Sequence, residues 1–289
     1  MANIDFITFL TVNSIPFANF LKKTGENTKS NKHNIKWKCV LSKGADTLPI
    51  GFECLGKAPS PSASRSFNHG TAINYALPKI TSDYIIIADA DLAMLYKNWD
   101  EVIIEQLQKY DCFGSKNVKK NREGLNFPNV PFFCFRKDVL NKIDLDFTPI
   151  LNKEKNCIKI IDITDKDLSI KWGREIGSTV RLDTGCKLPN EFKMLDLKSK
   201  CLEPIDIESS KIQLKFKDIE QKIISKIYHR GYKEDEKKRA CQLIEYHYKN
   251  EIFCTHLGVS RIRNFEQQPG KGWKNRVENF LKTKYNIRL

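Results

Sequence analysis

The stretch that decides the fold is YIIIADAD, residues 84–91. Its first five residues, Tyr84 to Ala88, are apolar without alternation, which is typical of a central parallel strand buried on both faces. Asp89 and Asp91 follow at the end of this strand, and residues i and i+2 leaving a strand point to the same side. Both carboxylates can therefore address one hard divalent cation and, through it, a diphosphate. In α/β sheets this carboxyl edge is where ligands bind.

Two other Asp-x-Asp pairs occur in the chain, at 144–146 and 165–167. The first follows a short amphipathic stretch and the second stands where a helix would begin, so turn chemistry and the helix dipole explain both. Carboxylates beside an apolar core are costly unless they are paired or bind a cation. The pair at Asp89 and Asp91 is therefore the one that predicts a metal site, and hard oxygen ligands favour Mg²⁺ or Mn²⁺.

Strands and helices alternate on both sides of this segment, which favours an α/β fold with a mostly parallel sheet flanked by helices. Further strands are predicted at Ile4–Val12, Ile35–Leu41, 111–114, Val130–Arg136 and Ile158–Ile163, and helices after Asn13, after Ser64 or Ser66, and from Asn98. The lysine-rich stretch from Phe216 to Tyr248 has a helical pattern. We therefore expect a catalytic core over residues 1–200 and a helical extension over 201–289 that completes the active site.

Composition narrows the class of protein. A chain of 289 residues with 40% hydrophobic residues can bury a large core. No run approaches the roughly 18 apolar residues of a membrane span, and no export signal is apparent, so a soluble, cytoplasmic protein is expected. The nine cysteines contain no Cys-x-x-Cys, which argues against structural zinc and a disulfide framework.

The formal charge of +14 allows a nucleic-acid-binding protein as an alternative, because clustered Lys and Arg attract phosphates. The excess is mostly scattered lysine, locally dense only at 116–122 and 271–288. This alternative gives Asp89 and Asp91 no purpose. The sequence contains no P-loop, dinucleotide-binding or Gly-x-Ser-x-Gly motif. This disfavours P-loop ATPases, dinucleotide-dependent enzymes and hydrolases with a nucleophile elbow.

Two segments carry a resemblance to a known family. SFNHGTAINYAL at 66–77 and DYIIIADAD at 83–91 resemble GT-A-fold glycosyltransferases, particularly family-2-like ones, with FFCFRKDV at 132–139 similar to a later strand and helix. The resemblance covers about residues 1–140. Asn68, Gly70, Ala72 and Asn74 match the family motif, whereas Ile73 stands where an Arg is usual. The family's Asp-Asp-Gly-Ser is replaced by LSKGAD at 41–46, which leaves Asp46 as a stand-in for the base-binding aspartate.

The resemblance implies a Rossmann-like GT-A core and a hexosyltransferase-like enzyme that requires Mn²⁺ or Mg²⁺. Asp91 is then the principal metal ligand, Asp89 contacts the metal or the donor ribose, and His256, in THLGVSR at 255–261, is a further metal ligand. The donor is a nucleotide-diphospho-sugar, with UDP- or GDP-sugars first. The acceptor is a glycan, a lipid-linked molecule or another hydroxyl compound. A nucleotidyltransferase with paired carboxylates remains an alternative.

The same resemblance places further residues at the substrates. Asp183 is the first candidate for the general base of an inverting reaction and Glu175 the second, while a retaining mechanism needs no such base. The loop QQPGKGW at 267–273 is a candidate to close over the donor. The donor-binding candidates are Thr11, Asn13, Asp46, Asn68, Asn74, Asp89, Arg261 and Arg263.

Overall fold

A computed structural model describes residues 1–42, 44–62, 64–116, 126–152, 157–172, 176–177, 179–206, 243–257, 265–266 and 270–289. The strands are β1 Asn3–Leu10, β2 Asn34–Leu41, β3 Glu53–Lys57, β4 Tyr84–Ala88, β5 Leu92–Met94, β6 Cys112–Ser115, β7 Asn129–Arg136, β8 Leu151–Asn152, β9 Cys157–Ile158, β10 Ile160–Asp162, β11 Thr179–Arg181, β12 Ser199–Asp206, β13 Leu243–Tyr248 and β14 Glu251–Leu257. The helices are α1 Ile15–Thr28, α2 Arg65–Ala76, α3 Trp99–Lys109, α4 Lys166–Trp172, α5 Leu188–Met194 and α6 Gly270–Tyr285.

Ten strands form one sheet in the order β3-β2-β1-β4-β7-β6-β12-β13-β14-β5. The expected α/β class is confirmed, but the sheet is mixed rather than mostly parallel. Strands β3, β2, β1 and β4 are parallel, and so are β6 and β12, whereas the other five of the nine neighbouring pairs are antiparallel. The difference arises because β7 returns between β4 and β6, and because the hairpin β13–β14 extends the sheet to β5.

The central strand β4 has the bounds that its apolar run predicts, and its two faces explain the layers. Ile86 and Ala88 face a core that contains Phe17 of α1, Trp99 of α3 and Trp273 of α6. Ile85 and Ile87 face the opposite core, which contains Ala72, Ile73 and Ala76 of α2. A strand buried on both faces needs helices on both sides, and the three-layer arrangement supplies them.

Helix α2 begins where a serine caps it. The side chain of Ser64 accepts a hydrogen bond from the backbone N–H of Phe67 at 3.4 Å, so Ser64 and not Ser66 is the cap. The close approach of this helix to its neighbours needs a glycine: a Cβ on Gly70 would lie 2.8 Å from the Cα of Thr148 and closer still to the carbonyl oxygen of Phe147.

The C-terminal part differs from the expected helical extension. Leu243–Tyr248 was expected to be helical but forms strand β13, whose Leu243, Ile244 and Tyr246 are buried between neighbouring strands. The rest of the predicted helical stretch, 216–242, lies outside the described residues. Strand β12 runs across the proposed boundary at residue 200, and the division into two parts stays a prediction.

The predicted strand at Ile158–Ile163 is split between β9 and β10, which belong to two separate two-stranded sheets. Among the described residues, none of the helices is long and apolar enough to cross a membrane.

Candidate active site

The paired carboxylates lie at the carboxyl end of β4, held by backbone hydrogen bonds on both sides. The N–H of Asp89 donates to the carbonyl oxygen of Pro131 at 2.9 Å, which continues the ladder between β4 and β7. The carbonyl oxygen of Asp91 accepts from the N–H of Leu257 at 3.0 Å. Both aspartates are therefore fixed by the sheet and not by a free loop.

His256 reaches these carboxylates because β14 pairs with β5 immediately after them, with His256 opposite Leu92. Its Nε2 lies 3.2 Å from Oδ1 of Asp91 and 3.6 Å from Oδ2 of Asp89. His256 is the last residue but one of β14, which ends at Leu257.

The three side chains form a donor set for a metal ion. One ligand atom from each of Asp89, Asp91 and His256 lies within 4.8 Å of the other two. Two carboxylates and one imidazole nitrogen suit Mn²⁺ and are compatible with Mg²⁺. The other ring nitrogen of His256, Nδ1, is buried without a hydrogen-bond partner among the described residues, so the interactions of this ring are made through Nε2. The residues present therefore fit a divalent cation.

The electrostatics of the group match this interpretation. Burial alone would lower the pKa of His256, but the carboxylates of Asp91 and Asp89 outweigh it and raise the pKa to about 10. Burial alone would raise the pKa of Asp89, but the neighbouring imidazoles of His256 and His69 hold it below its usual value. Two carboxylates thus share a positively charged partner, and a cation bound at Nε2 takes the place of a proton.

His69 is a contact that the sequence did not assign. Its Nε2 lies 3.5 Å from Oδ1 of Asp89, and its ring packs edge-on against Phe9 of β1 with 5.2 Å between the ring centres. The residue stands between the motif positions Asn68 and Gly70. Its only signal in the sequence was a titratable side chain at the start of the helix that precedes the aspartate pair.

Three donor-binding candidates follow strands that end at the same edge as β4. Strands β1 and β2 are parallel to β4, so Thr11, Asn13 and Asp46 come after the strands on that side. The N–H of Thr11 donates to the hydroxyl of Ser14 at 2.7 Å. Asp46 is largely exposed and pairs with Lys57 at 2.8 Å. Their roles toward a donor stay predictions.

Asn68 and Asn74 use their side-chain amides within the protein. Asn68 accepts from the N–H of Ser62 at 3.1 Å and donates to its carbonyl oxygen at 2.7 Å. Asn74 donates to Asp146 at 2.8 Å and accepts from the N–H of Phe147 at 2.9 Å. These bonds fix α2 to the preceding loop and to the segment at 145–148. A role in donor binding stays a prediction for both.

Asp183 lies in a turn beside the N-terminal end of α2. Its Oδ1 accepts from the N–H of Thr184 at 2.9 Å, and the hydroxyl of Thr184 donates to the carbonyl oxygen of Ser66 at 3.1 Å. The turn therefore sits at the same end of α2 as His69. Glu175, Arg261 and Arg263 lie outside the described residues.

The predicted closing loop at 267–273 is partly helix. Residues 270–273 form the first turn of α6, and Trp273 is fully buried with its ring centre 5.4 Å from that of Phe20. A buried anchor of this kind cannot swing over a ligand, so the prediction is wrong for this part. Residues 267–269 lie outside the described residues.

The two other Asp-x-Asp pairs have structural partners, as their sequence context indicates. Asp146 is hydrogen-bonded by Lys187, Thr148 and Asn74; burial would raise its pKa, but these donors prevail and lower it to about 2. Asp165 accepts from the N–H of Leu168 at 2.7 Å and so caps α4.

Comparison with known proteins gives similarity to solved structures only. No family model and no curated protein matches the chain. A mannosyltransferase from Pyrobaculum calidifontis, solved with GDP-Man and Mn²⁺, is 14% identical over 48% of this chain and 46% of its own, with a TM-score of 0.36. Glucosyl-3-phosphoglycerate synthase from Mycobacterium tuberculosis, solved with Mn²⁺, UDP-Glc and phosphoglyceric acid, is 10% identical over 49% and 59%, with a TM-score of 0.35.

A third similar structure, from Desulfovibrio desulfuricans G20, is described provisionally as a nucleotide-diphospho-sugar transferase. It is 12% identical over 70% of this chain and 80% of its own, with a TM-score of 0.38. The match with the first two proteins spans about half the length of each solved chain.

Proposed function

We propose that the protein is a metal-dependent glycosyltransferase that moves a sugar from a nucleotide-diphospho-sugar to a hydroxyl acceptor. The observation that carries the proposal is the convergence of Asp89, Asp91 and His256 at the carboxyl end of a buried central strand. Three protein ligands leave coordination positions of Mn²⁺ or Mg²⁺ open for phosphate oxygens. The motif resemblance implies a nucleotide-diphospho-sugar donor, with UDP- and GDP-sugars as the first to test.

The cation, when bound, neutralises the charge that develops on the leaving diphosphate. The chain's own residues then have to hold the two substrates in line. We assign contact with the nucleoside part of the donor to Thr11, Asn13 and Asp46, and their position after the strands beside β4 supports this. The amides of Asn68 and Asn74 and the arginines Arg261 and Arg263 remain the other donor-binding candidates.

Proton removal from the acceptor hydroxyl is assigned to Asp183, with Glu175 as the second choice. Asp183 is supported by its position beside the N-terminal end of α2, the helix that also carries His69 to the carboxylates. A general base has to lie within hydrogen-bond reach of the attacking hydroxyl. Loss of the base lowers kcat without lowering donor affinity, which separates this role from donor binding.

A screen of UDP-, GDP-, CMP- and dTDP-sugars with Mn²⁺ tests the proposal, with release of the nucleoside phosphate and thermal stabilisation as readouts. Asp91→Ala should remove the Mn²⁺-dependent turnover while the melting temperature of the unliganded chain stays close to that of the wild type. Asp167→Ala is the matched control, because it removes an exposed carboxylate from another Asp-x-Asp pair.

Full Mn²⁺-dependent activity in the Asp91→Ala variant would contradict the proposal. Release of pyrophosphate from a nucleoside triphosphate would indicate a nucleotidyltransferase instead. Tight nucleic-acid binding with a steep salt dependence and no turnover of any sugar nucleotide would favour the nucleic-acid-binding alternative.

A further inference from the structure

The two oxygens of the Asp89 carboxylate contact different imidazoles. Oδ2 faces His256 at 3.6 Å, on the side shared with Asp91, and Oδ1 faces His69 at 3.5 Å, on the side of the helical layer. One carboxylate is thus held between β14 and α2. The contact between Oδ1 and His69 is not accounted for by the group of Asp89, Asp91 and His256.

His69 is outside the ligand group. Among the described residues, the set whose ligand atoms lie within 4.8 Å of one another contains Asp89, Asp91 and His256 but not His69. The imidazole of His69 therefore contacts one of the candidate ligands, Asp89, without belonging to their group. Ligating carboxylates usually have such an outer partner, which fixes their orientation.

An aspartate needs this partner because the torsion that turns its carboxylate is soft. The χ2 angle of Asp joins an sp³ to an sp² carbon and has broad minima, so the side chain alone does not fix which oxygen faces the cation. The imidazole of His69, 3.5 Å from Oδ1, restricts this rotation. The edge-on contact of the His69 ring with Phe9 in turn limits the movement of the imidazole.

The motif residues around His69 hold its helix in place. Asn68 bonds to the loop before α2, Asn74 bonds to the segment at 145–148, and Gly70 allows the helix to approach that segment closely. Three positions that resemble a sugar-nucleotide motif thus fix the position of helix α2, and with it that of His69 beside Asp89.

We propose that His69 is a positioning residue of the metal site, which anchors Oδ1 of Asp89 so that Oδ2 faces the cation together with Asp91 and His256. This inference rests on the proposed function, since it assumes that the three-residue group binds a metal. It assigns His69 no contact with the cation or the donor.

Mn²⁺ titration monitored by electron paramagnetic resonance of the free ion tests this role without any turnover. The matched variants are His69→Gln, whose amide nitrogen can take the place of Nε2, and His69→Asn, whose amide is too short to reach Asp89. His33→Ala is the control, because the imidazole of His33 accepts a hydrogen bond from the backbone N–H of Ala2 and, in the described part of the chain, makes no hydrogen bond or ion pair with the aspartates. Titrations are made with Mn²⁺ alone and with Mn²⁺ in the presence of UDP or GDP.

His69→Asn should weaken Mn²⁺ binding by about tenfold or more, the usual effect of losing an outer partner, while His69→Gln stays within a few-fold of the wild type. Melting temperatures of the two variants should agree, since both lose the same ring contact. Wild-type affinity in His69→Asn, or equal weakening in both variants, overturns the positioning role.

The outcomes separate this inference from the proposed function. If Asp91→Ala abolishes Mn²⁺ binding and His69→Asn does not change it, the metal site stands and the role of His69 falls. If His69→Asn binds Mn²⁺ weakly and His69→Gln does not, but no sugar nucleotide is turned over, the positioning role of His69 is supported and the transferase function is contradicted. No Mn²⁺ binding by the wild-type chain under any of these conditions overturns both.

Discussion

The backbone N–H of Leu257 donates to the carbonyl oxygen of Asp91, with 3.0 Å between the two atoms. This bond joins the end of the C-terminal hairpin to the aspartate pair that follows the central strand. It sets the position of His256, the residue before Leu257, against both carboxylates. The candidate metal site is therefore a product of strand pairing between distant parts of the chain.

Replacement of His256 by alanine should weaken Mn²⁺ binding by at least about tenfold, because it removes one of three ligands and leaves two carboxylates facing each other. Isothermal titration with Mn²⁺ measures this effect. His33→Ala, a histidine remote from the aspartates, should bind Mn²⁺ like the wild type. Equal affinity in His256→Ala and the wild type would show that the imidazole is a structural partner only.

Gly70→Ala should destabilise the protein by about 1–3 kcal/mol, as expected for overpacking. Inside a helix, alanine is more favourable than glycine by about 1 kcal/mol. This gain is outweighed because the added Cβ would lie 2.8 Å from the Cα of Thr148, and a backbone atom cannot move away as the end of a side chain can. Urea unfolding measures the change. Ser66→Ala in the same helix should stay within about 0.5 kcal/mol. Stabilisation by Gly70→Ala would show that the helix has room to shift.

Asp5→Asn should cost about 3–5 kcal/mol, since it leaves the charge of Lys38 without its closest partner in a buried position. The Asp5 and Lys38 side chains are 0% and 2% exposed and 3.1 Å apart, and the carboxylate of Glu53 lies 4.0 Å from Lys38. Chemical denaturation measures the loss. Asp46→Asn breaks an exposed pair and should cost no more than about 1 kcal/mol. Similar losses of unfolding free energy in Asp5→Asn and Asp46→Asn would contradict the buried position of the pair between Asp5 and Lys38.

Asp146 should make stability depend on acid pH. Its pKa is about 2 in the folded protein against an ordinary value of 3.8, so its contribution is fully present only well above pH 3.8 and is lost as the pH falls toward 2. The difference in unfolding free energy between the wild type and Asp146→Asn should therefore be largest above pH 5 and shrink on acidification. Denaturant unfolding at several pH values checks this, with Asp167→Asn as an exposed control. A difference that does not vary with pH would contradict the assigned pKa.

The sequence predicts the centre of this molecule better than its periphery. Strand β4 could be placed to the residue because an unbroken apolar run of five residues between polar neighbours admits few alternatives. Strand β13 could not, because Leu243 and Ile244 follow a lysine-rich stretch and helical spacing continues into them. Only pairing with β12 and β14, which is a long-range contact, makes that segment a strand.

The site shows the same division. Asp89 and Asp91 could be found because their spacing and their position after an apolar run carry the chemistry, whereas His256 is indicated by the family resemblance of its segment. His69 could not, because a single histidine in a helix has no signature until its partner is known. The position of Trp273 could not be predicted for a similar reason. The glycines beside it indicate a loop, whereas its packing against Phe20, a long-range contact, places it in a buried helix.

The placement of His256 on the last strand of the sheet has a consequence for biosynthesis. During translation, both aspartates leave the ribosome long before residue 256 is made, and domains fold as units once their chain is available. The nascent chain thus carries the acidic pair, with His69 already made, before the imidazole of His256 exists. The group of three candidate ligands is complete only when strand β14 has paired with β5, so a chain that ends before residue 256 would lack one of them.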